Sequence, residues 1–398
     1  MDPNQYGPQV IFAPSFLLAF AQLTLFQAPF TPNRSAATDI STPLTEDSKS
    51  TLSSRQSRKD TQFVAAAMQS HRLWQKQRKL FDSFPEFKAH VRRVVNEERP
   101  SGAKKDSVEK LQEKQEYCQD ANEDTILFNL LHLIAKESRQ VAKEATVQDG
   151  SDQDREKSYE VREFWSDGVV VQVNRLFRNT TLPNAYLQSG LLEDIAKALA
   201  KQDGMTQPKP DYTYGIKTDK YLRKDGTQFT DELLDIVPKM HHAFLLVEGK
   251  SNKGAMTQGE NQACRGGATL VNASRQLLAK LGRVDILGPD KDTFVYSVTM
   301  ESKVMDIWVH WAEVRMNGKA HEVHFHMNAI ASKSLTDDEA LPFLRRVLHN
   351  ILDWGCLDRD RMLKEWYQSL DAYEKRLHDQ RVADSQKTQD NKKRKTNK

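Results

Sequence analysis

The chain contains little cysteine and lacks several motifs that would identify its chemistry directly. Only three of its 398 residues are cysteines: Cys118, Cys264 and Cys356. Their odd number and wide spacing exclude a CxxC pair and a disulfide framework, and are typical of reduced thiols in an intracellular protein. The sequence also has no HExxH zinc motif and no GxSxG nucleophile elbow. This excludes the metalloproteases and the α/β-hydrolases that those motifs define.

A complete nucleotide-binding P-loop is also missing. The run Val247-Glu-Gly-Lys-Ser251 matches the end of that motif, but Phe244 stands where its first glycine belongs. Without that glycine the backbone cannot form the cradle that holds the phosphates of a nucleoside triphosphate. The sequence therefore does not predict nucleotide triphosphate binding.

Long uninterrupted apolar runs are scarce. The most apolar stretch, Val10–Phe30, is interrupted by Pro14, Gln22, Gln27 and Pro29. It also lacks the basic region and the small-residue cleavage site of a signal peptide. It fits a membrane-spanning helix poorly, so we expect no membrane partner. Secretion or membrane attachment is the weakest of three functional hypotheses.

Polar composition limits how much of the chain can share one core. The mean hydropathy is −0.68 and 38% of the residues are hydrophobic, which indicates that part of the chain lies outside a packed domain. The net charge of +3 and the pI of about 8.5 are mildly basic. They permit nucleic-acid binding without requiring it.

Composition divides the chain into four parts. We expect a disordered, low-complexity segment over 1–60 and a charged helical region over 61–148. A compact α/β domain follows over 159–377, and a basic disordered tail over 378–398. The cluster Lys392–Lys395 in this tail favours nuclear localisation, although the same run also fits a solvated charged end of a cytoplasmic protein.

Hydrophobic periodicity predicts the elements of the compact domain. The run Phe244–Val247 is continuously apolar, as in a strand covered on both faces. Asp211–Ile216 alternates like a half-buried strand, and Gln258–Leu281 has the period of a helix. A helix is also expected over Tyr186–Gln202, with its apolar side formed by Leu191, Leu192, Ile195, Ala198 and Leu199. Three more strands are predicted, at Thr293–Met300, Met305–Val314 and His321–Ile330.

Two carboxylates and a lysine stand at positions suited to phosphodiester chemistry. Asp211 begins one predicted strand, and Glu248 ends another. Glu248 and Lys250 project to the same face because side chains alternate along a strand. Paired carboxylates are the ligands that Mg²⁺ prefers, and the ion can activate water and offset phosphate charge. Lys250 could then position the water or offset charge on the phosphate.

Three neighbouring residues could support this chemistry. The carbonyl of Gly249 could add a metal ligand. Gln262, on the predicted helix Gln258–Leu281, could orient the lysine or the water. Arg265 lies three residues further on the same helix face, where it could contact nucleic acid. On the residues alone, an ordinary ion pair at a strand edge remains an equal alternative.

Four stretches of this sequence resemble the PD-(D/E)XK nuclease-like superfamily. The closer resemblance is to an uncharacterised fungal protein family with that fold, and it covers roughly residues 160–370. The stretches are Lys209–Gly215, Phe244–Lys250, Glu260–Ala268 and His349–Gly355.

The resemblance implies a restriction-endonuclease-like fold, in which helices flank a mixed central sheet. It also implies divalent-metal hydrolysis with Mg²⁺ or Mn²⁺ by Asp211, Glu248 and Lys250, supported by Gln262. Many members of the superfamily use a further glutamate on the helix before the first motif strand. Glu193 is the candidate for that metal ligand here.

Two other constellations compete with this site. Pro289-Asp290 followed by Glu301-Ser-Lys303 is a second formal match, but Asp290 lies in a predicted turn and no glutamine-bearing helix follows directly. His324 and His326 share one strand face, where ordinary half-exposed histidines are a better interpretation than a metal site. The first constellation is therefore favoured.

Two leading hypotheses follow. The first is metal-dependent hydrolysis of nucleic acid, with DNA as the expected substrate, in the nucleus. The alternative is a catalytically inactive nuclease-like fold that binds nucleic acid or protein, because fold alone does not establish activity.

Overall fold

The computed structural model describes residues 66–99, 105–136, 169–178, 181–188, 190–203, 205–252, 255–283, 287–318 and 320–396. The residues predicted to be disordered at 1–60, which include Val10–Phe30, lie outside this part of the chain. The strands are β1 Leu73–Gln75, β2 Val169–Val173, β3 Tyr212–Ile216, β4 His241–Gly249, β5 Gly288–Pro289, β6 Val295–Met300, β7 Val304–Asn317 and β8 Ala320–Ser334.

Helices precede, interrupt and follow these strands. The helices before β2 are α1 Arg78–Asp82, α2 Pro85–Asn96, α3 Lys105–Tyr117, α4 Glu123–Ile126 and α5 His132–Lys136, with a π-helical turn at Leu127–Leu131 joining the last two. The later helices are α6 Ala185–Gln188, α7 Glu193–Gln202, α8 Met256–Lys280, α9 Ala340–Asp353 and α10 Asp360–Thr396, with a second π-helical turn at Trp354–Asp358.

One mixed eight-stranded sheet organises the described residues. Seven strands run in the order β1-β8-β7-β6-β4-β3-β2, and β5 pairs with β7 outside this path. The β1–β8 and β4–β6 pairs are parallel, and the others are antiparallel. The mixed α/β architecture predicted from the sequence is thereby confirmed, with helices flanking a central sheet.

Both faces of the sheet are covered, which explains why β4 reads as a continuous apolar run. Helix α8 packs across β4, β6 and β7 on one face, where Leu246 joins Ala263 and Val271 in a buried cluster. On the other face Leu245 and Val247 belong to a larger cluster with residues of α2, α9 and the first π-helical turn. The neighbouring residues Leu245 and Leu246 of one strand thus enter two separate clusters.

The residues before 150 share this core. Strand β1 pairs with β8, with Leu73 opposite Phe325, and Leu127 and Leu130 of the π-helical turn are fully buried in the larger cluster. The predicted boundary between the helical region and the compact domain lay between residues 148 and 159. In the structure, residues from both sides of that division form one sheet and one packed interior. The apolar stripe of the charged helical region is the surface that makes this contact.

Helix α9 binds the ends of two earlier helices, which gives the stretch His349–Gly355 a structural role. Arg345 donates hydrogen bonds to Leu133 O and Ile134 O at 3.2 and 3.3 Å, and His349 Nε2 donates to Ala135 O at 3.2 Å. Burial lowers the pKa of His349 to about 4, so the imidazole is neutral at pH 7. Asn350 Nδ2 donates to Val95 O and Glu97 O. These donors satisfy carbonyls that α5 and α2 leave free at their C-terminal ends.

The C-terminal helix extends further than the sequence indicated. Helix α10 continues to Thr396 and so includes residues 378–396 of the segment that we expected to be disordered. This segment has no glycine or proline, and Lys, Arg and Gln are favourable in helices, so nothing in its sequence ends the helix. Within the described residues, no helix combines the length and the apolar composition needed to cross a bilayer.

Two substitutions in the first π-helical turn test its packing, because one removes a buried apolar side chain and the other an exposed one. Leu130→Ala removes a fully buried side chain and should lower the free energy of unfolding by about 2–5 kcal/mol. Phe128→Ala on the same turn removes a side chain that is 67% exposed and should change it by less than about 0.5 kcal/mol. Urea unfolding of the full chain measures both, and equal effects would contradict the packing described above.

Candidate functional site

Strand register brings Asp211 and Glu248 together. In the antiparallel β3–β4 pair Tyr212 lies opposite Val247, so the next position outward pairs Asp211 with Glu248. Side chains directly opposite each other in such a pair have Cβ atoms about 4.5–5.5 Å apart. Asp211 Oδ2 also accepts a hydrogen bond of 2.7 Å from the Gly249 amide, which fixes this carboxylate at the end of β4.

Glu248 is a buried carboxylate without a partner. Its exposed fraction is 2%, and it makes no hydrogen bond or ion pair within the part of the chain that the structure describes. Burial raises its pKa well above the ordinary value, and the neighbouring Asp211 raises it further, while Lys250 and Arg265 act in the opposite direction. An unpaired buried carboxylate is costly, so this position favours the arrival of a cation.

Opposing effects also act on the pKa of Asp211, and the resulting shift is smaller than that of Glu248. Burial raises its pKa, and the Gly249 amide and Lys250 lower it. The acidic residues Glu123 and Asp124 raise it again. Negative charge from three chain segments therefore converges on this end of β4. Oxygen ligands with a surplus of negative charge are the set that a hard divalent cation prefers.

Lys250 lies on the same face as Glu248 and is almost completely enclosed. Its exposed fraction is 4%, and its Nζ atom is 3.4 Å from Glu123 Oε1. Gly259 in the first turns of α8 makes room for it, because a Cβ there would lie 3.1 Å from Lys250 Cγ. The lysine stem therefore runs closely beneath the helix, with its ammonium group directed towards Glu123.

Glu123 is not among the site residues predicted from the sequence. This residue begins α4, where the side chain of Asn122 accepts a hydrogen bond from the Thr125 amide as an N-cap. The local signal was present, because Asn followed by Glu and Asp before an apolar stripe is typical of a helix start. Nothing in the sequence linked that start to β4, since the contact depends on how the chain folds back.

Glu193, the predicted additional ligand, makes its ion pair within its own helix. It is 62% exposed at the start of α7 and pairs with Lys197 at 2.5 Å. It is not among the charges that shift the pKa of Asp211 or Glu248. Glu123, which also begins a helix, is the glutamate that pairs with Lys250, and Glu193 as a metal ligand remains a prediction. The two glutamates both begin helices before the motif strands, which explains why sequence alone did not separate them.

Gly249 is needed because the first π-helical turn rests directly on the end of β4. A Cβ at this position would lie 2.7 Å from Leu127 Cγ, closer than atoms of a packed core approach. The contact holds α4 against the strand and thereby holds Glu123 beside Lys250. The amide of Gly249 binds Asp211, whereas its carbonyl as a metal ligand remains a prediction.

Helix α8 brings Gln262 and Arg265 to the same region. Gln262 Oε1 is buried without a hydrogen-bond partner. Arg265 donates hydrogen bonds to Thr206 Oγ1 and to Asn261 O. Burial lowers the pKa of Arg265, while Glu248 raises it, so its charge acts on the carboxylate pair. A direct contact of Arg265 with nucleic acid remains a prediction.

The residues of the second formal match, Asp290 and Glu301, do not come together in the structure. Asp290 pairs with Arg283 at 3.1 Å, and Glu301 follows the opposite end of β6. The six residues of this strand span about 20 Å, so the two carboxylates cannot share one ion.

The histidines of β8 have protein partners. His324 stacks on Trp74 and lies 3.4 Å from Glu322. His326 stacks on Trp311 and lies 3.3 Å from Glu313. Among the described residues there is no group of three or more His, Cys, Asp or Glu side chains placed to hold a metal ion. The site at β4 therefore offers two carboxylates from the sheet, with Glu123 paired to Lys250.

The burial of Glu248 predicts a dependence of stability on pH. Its pKa is higher in the folded chain than in the unfolded chain, so ionisation opposes folding. Glu248→Gln removes this cost and should raise the free energy of unfolding at pH 7 by about 1 kcal/mol or more in the absence of divalent ions. The gain should vanish well below about pH 4.3, where both states are protonated, grow as the pH rises from there to the raised pKa of the folded chain, and stay constant above it.

Thermal unfolding at several pH values, with and without Mg²⁺ or Mn²⁺, measures this gain. Either ion should stabilise the unmodified chain more than the variant, because a ligand that binds only the folded state raises its stability. Glu193→Gln is the matched control and should behave like the unmodified chain. An equal response of Glu248→Gln and the control at every pH would contradict the electrostatics described above.

A comparison with protein families matches residues 110–366 to DUF7924, a domain of unknown function. The match covers more than half of the chain and begins within α3, so it includes Glu123 together with all the motif strands. No curated protein matches the sequence.

Proposed function

The chain belongs to the DUF7924 family, and we propose that it is a divalent-metal-dependent nuclease with a restriction-endonuclease-like fold. The observation that carries this proposal is the pair Asp211 and Glu248. Glu248 is buried beside the half-buried Asp211, it makes no hydrogen bond or ion pair with the residues that the structure describes, and a lysine lies on the same face of the strand. In a structural ion pair each carboxylate would have a cationic partner, whereas here two carboxylates lie side by side and repel each other.

The donor set fits Mg²⁺ or Mn²⁺. Asp211 and Glu248 would hold the ion through carboxylate oxygens, which suit hard cations. Gln262 offers a buried amide oxygen that lacks a hydrogen bond. A bound ion would supply a Lewis acid for the phosphate and would lower the pKa of an attached water. The burial of Glu248 and the partial burial of Asp211 also strengthen their attraction for a cation.

Lys250 supplies the fixed positive charge of this mechanism. Its enclosed ammonium group would approach the attacked phosphate and offset the charge that develops there. Glu123 restrains this group through the 3.4 Å ion pair, so it acts as a positioning residue. Arg265 adds charge from α8 and lowers the pKa of Glu248, which favours the ionised form that binds metal.

The expected substrate is nucleic acid, and DNA in the nucleus is the substrate and location that we propose. The basic end of α10 at Lys392–Lys395 supports this location, since clusters of this kind direct nuclear import. The resemblance of the motif stretches to the PD-(D/E)XK superfamily supports the reaction. The order of the site along β3, β4 and α8 is compatible with the mixed sheet that this superfamily implies.

Cleavage of labelled single- and double-stranded DNA and RNA by the purified full chain tests the proposal. We expect cutting with Mg²⁺ or Mn²⁺ and none with EDTA. Asp211→Ala, Glu248→Gln and Lys250→Ala should each reduce the rate by about 100-fold or more. Glu193→Ala, which removes an exposed carboxylate paired with Lys197, is the matched control and should cut at the unmodified rate.

The same experiment separates the alternative function. Metal-independent binding of nucleic acid by a folded, inactive chain, unchanged in Asp211→Ala and Lys250→Ala, would assign the fold to a binding module. Activity that survives all three site substitutions would place the chemistry elsewhere in the chain.

The role of Glu123 generates a separate expectation. Glu123→Gln should lower the rate about tenfold, as the loss of a group that orients a catalytic residue typically does. The concentration of Mg²⁺ needed for half-maximal activity should stay within a factor of about two if Glu123 acts through Lys250 alone. Glu193→Gln controls for the loss of a helix-starting carboxylate. An unchanged rate in Glu123→Gln would exclude a positioning role.

A further inference from the structure

Arg359 is a buried arginine that forms no ion pair with any residue that the structure describes. Its exposed fraction is 5%, and its Nε atom is buried without a hydrogen-bond acceptor. The guanidinium group lies over the Trp354 ring, 4.9 Å from the ring centre. Burial lowers the pKa of Arg359 to about 10, so the group is still charged at pH 7. A buried charge without a counter-ion opposes folding.

The second π-helical turn sets the position of this guanidinium group. The Arg359 amide donates a hydrogen bond of 3.2 Å to Trp354 O, five residues earlier. The turn ends at Asp358 and α10 begins at Asp360, so Arg359 stands at the junction between them. Turns of this kind are frequent at functional sites. Here the junction directs Arg359 inward over Trp354 and away from the solvent.

A bulge in β4 re-aims a second polar side chain, that of His242. Tyr214 pairs with Leu245 and Ile216 pairs with His241, so β4 advances four residues where β3 advances two. His242 lies within this bulge and has a φ of 44°, a left-handed conformation that residues other than glycine adopt rarely. Bulges and residues held in such conformations are both over-represented at functional sites.

The His242 ring carries a buried nitrogen atom without a partner. The ring contacts Trp366 and Tyr367 of α10, with ring centroids 5.7 and 5.4 Å apart, and its Nε2 atom is buried without a hydrogen bond. Burial lowers the pKa of His242 well below its ordinary value, and the charge of Arg359 lowers it further. The imidazole is therefore neutral at pH 7 and lies within range of the Arg359 charge. A neutral imidazole can donate a hydrogen bond from Nε2.

The carboxylates that adjoin Arg359 are held by other cations. Asp292, whose charge raises the pKa of Arg359, pairs with Arg283 at 2.7 Å. Asp360, the next residue in the chain, pairs with Lys220 at 3.2 Å. The buried donors of Arg359 therefore remain unsatisfied within the described part of the chain.

We propose that Arg359 and His242 form a binding site for a phosphoryl group, enclosed between the start of β4 and the start of α10. A guanidinium group has donors and no acceptor, so the site selects an anion. The guanidinium fork binds two oxygens of a phosphate at once. A phosphate then has a further oxygen for His242 Nε2, whereas both oxygens of a carboxylate are taken by the fork. A bound phosphoryl group would thus give both buried side chains the acceptors that they lack.

This site is separate from the carboxylate pair of the proposed nuclease. His242 lies near the start of β4 and Glu248 near its end, six residues further along the strand. An extended strand of that length spans about 20 Å. The inference therefore does not rest on the proposed function, and either can fail without the other.

Thermal unfolding of the full chain in inorganic phosphate tests the site, with sodium chloride of equal ionic strength as the reference. For a dissociation constant of about 0.1 mM, about 10 mM phosphate should raise the Tm by about 4 °C. Arg359→Met keeps a long side chain over Trp354 and removes the donors. It should lose the response to phosphate, and in chloride it should be no less stable than the unmodified chain. Phosphate also stabilises proteins through its exclusion from their surface, and the comparison of the two chains cancels that effect.

Arg345→Met is the matched control, because Arg345 is also buried but donates hydrogen bonds to Leu133 O and Ile134 O. The substitution removes these hydrogen bonds, so it should lower the Tm in chloride. The rise in Tm that phosphate produces should stay as in the unmodified chain. The two arginine variants are thus expected to differ in opposite ways in the two salts.

Two further variants test the geometry of the site. His242→Asn suits the left-handed φ, because asparagine adopts it more readily than most residues, but its side chain is too short to replace Nε2. The affinity for phosphate should fall by about tenfold. Arg359→Lys keeps the charge and loses the fork, and it should also weaken phosphate binding by about tenfold. Circular dichroism verifies that each variant is folded.

Three outcomes would overturn the proposal. The first is an equal response of the unmodified chain and Arg359→Met to phosphate. The second is acetate that stabilises the unmodified chain as strongly as phosphate does, since the site would then not require a phosphoryl group. The third is a loss of Tm for Arg359→Met in chloride as large as that of Arg345→Met, because Arg359 would then have its partner within the protein.

Discussion

The contact between Leu127 and Gly249 is the constraint on which the site depends. It joins a helical segment from the first third of the chain to the end of the central strand β4. A Cβ at Gly249 would lie 2.7 Å from Leu127 Cγ, so a larger residue there would force the Leu127 side chain to move. Glu123 then lies beside Lys250, and the enclosed lysine stays near the two carboxylates. The site is therefore built from three chain segments held by one apolar contact, and π-helical turns are frequent at functional sites.

The remainder of the structure offsets the cost of this site. Glu248 and Asp211 are ionisable groups whose pKa values are raised chiefly by burial, so they oppose folding at neutral pH. The two apolar clusters on the faces of the sheet supply the opposing free energy. Helix α9 adds specific polar contacts, since Arg345, His349 and Asn350 satisfy the carbonyl ends of two other helices. The contacts that stabilise the fold thus lie in the apolar clusters and at α9, whereas the carboxylates that oppose folding lie at the end of β4.

The sequence predicted the sheet well and the site in part. The apolar run of β4 and the alternation of β3 identify both strands, and the period of two places Glu248 and Lys250 on one face. Three strands after α8 were predicted within a few residues of their observed bounds. Glu123 was missed because its contact with Lys250 joins residues far apart in the chain, and no local pattern encodes that pairing. The exposure of Leu192 and Ile195 was also missed, since periodicity identifies an apolar side without stating what covers it.

The pairing of β1 with β8 has a consequence for how the chain can be divided. Residues 66–136 and 169–396 are held together by a parallel strand pair, by the buried Leu127 and Leu130, and by the helix ends bound to α9. These contacts do not involve the peptide bonds between Lys136 and Val169. The two pieces therefore carry the complementary surfaces of a split protein, which could be expressed separately and reassembled as a reporter of proximity.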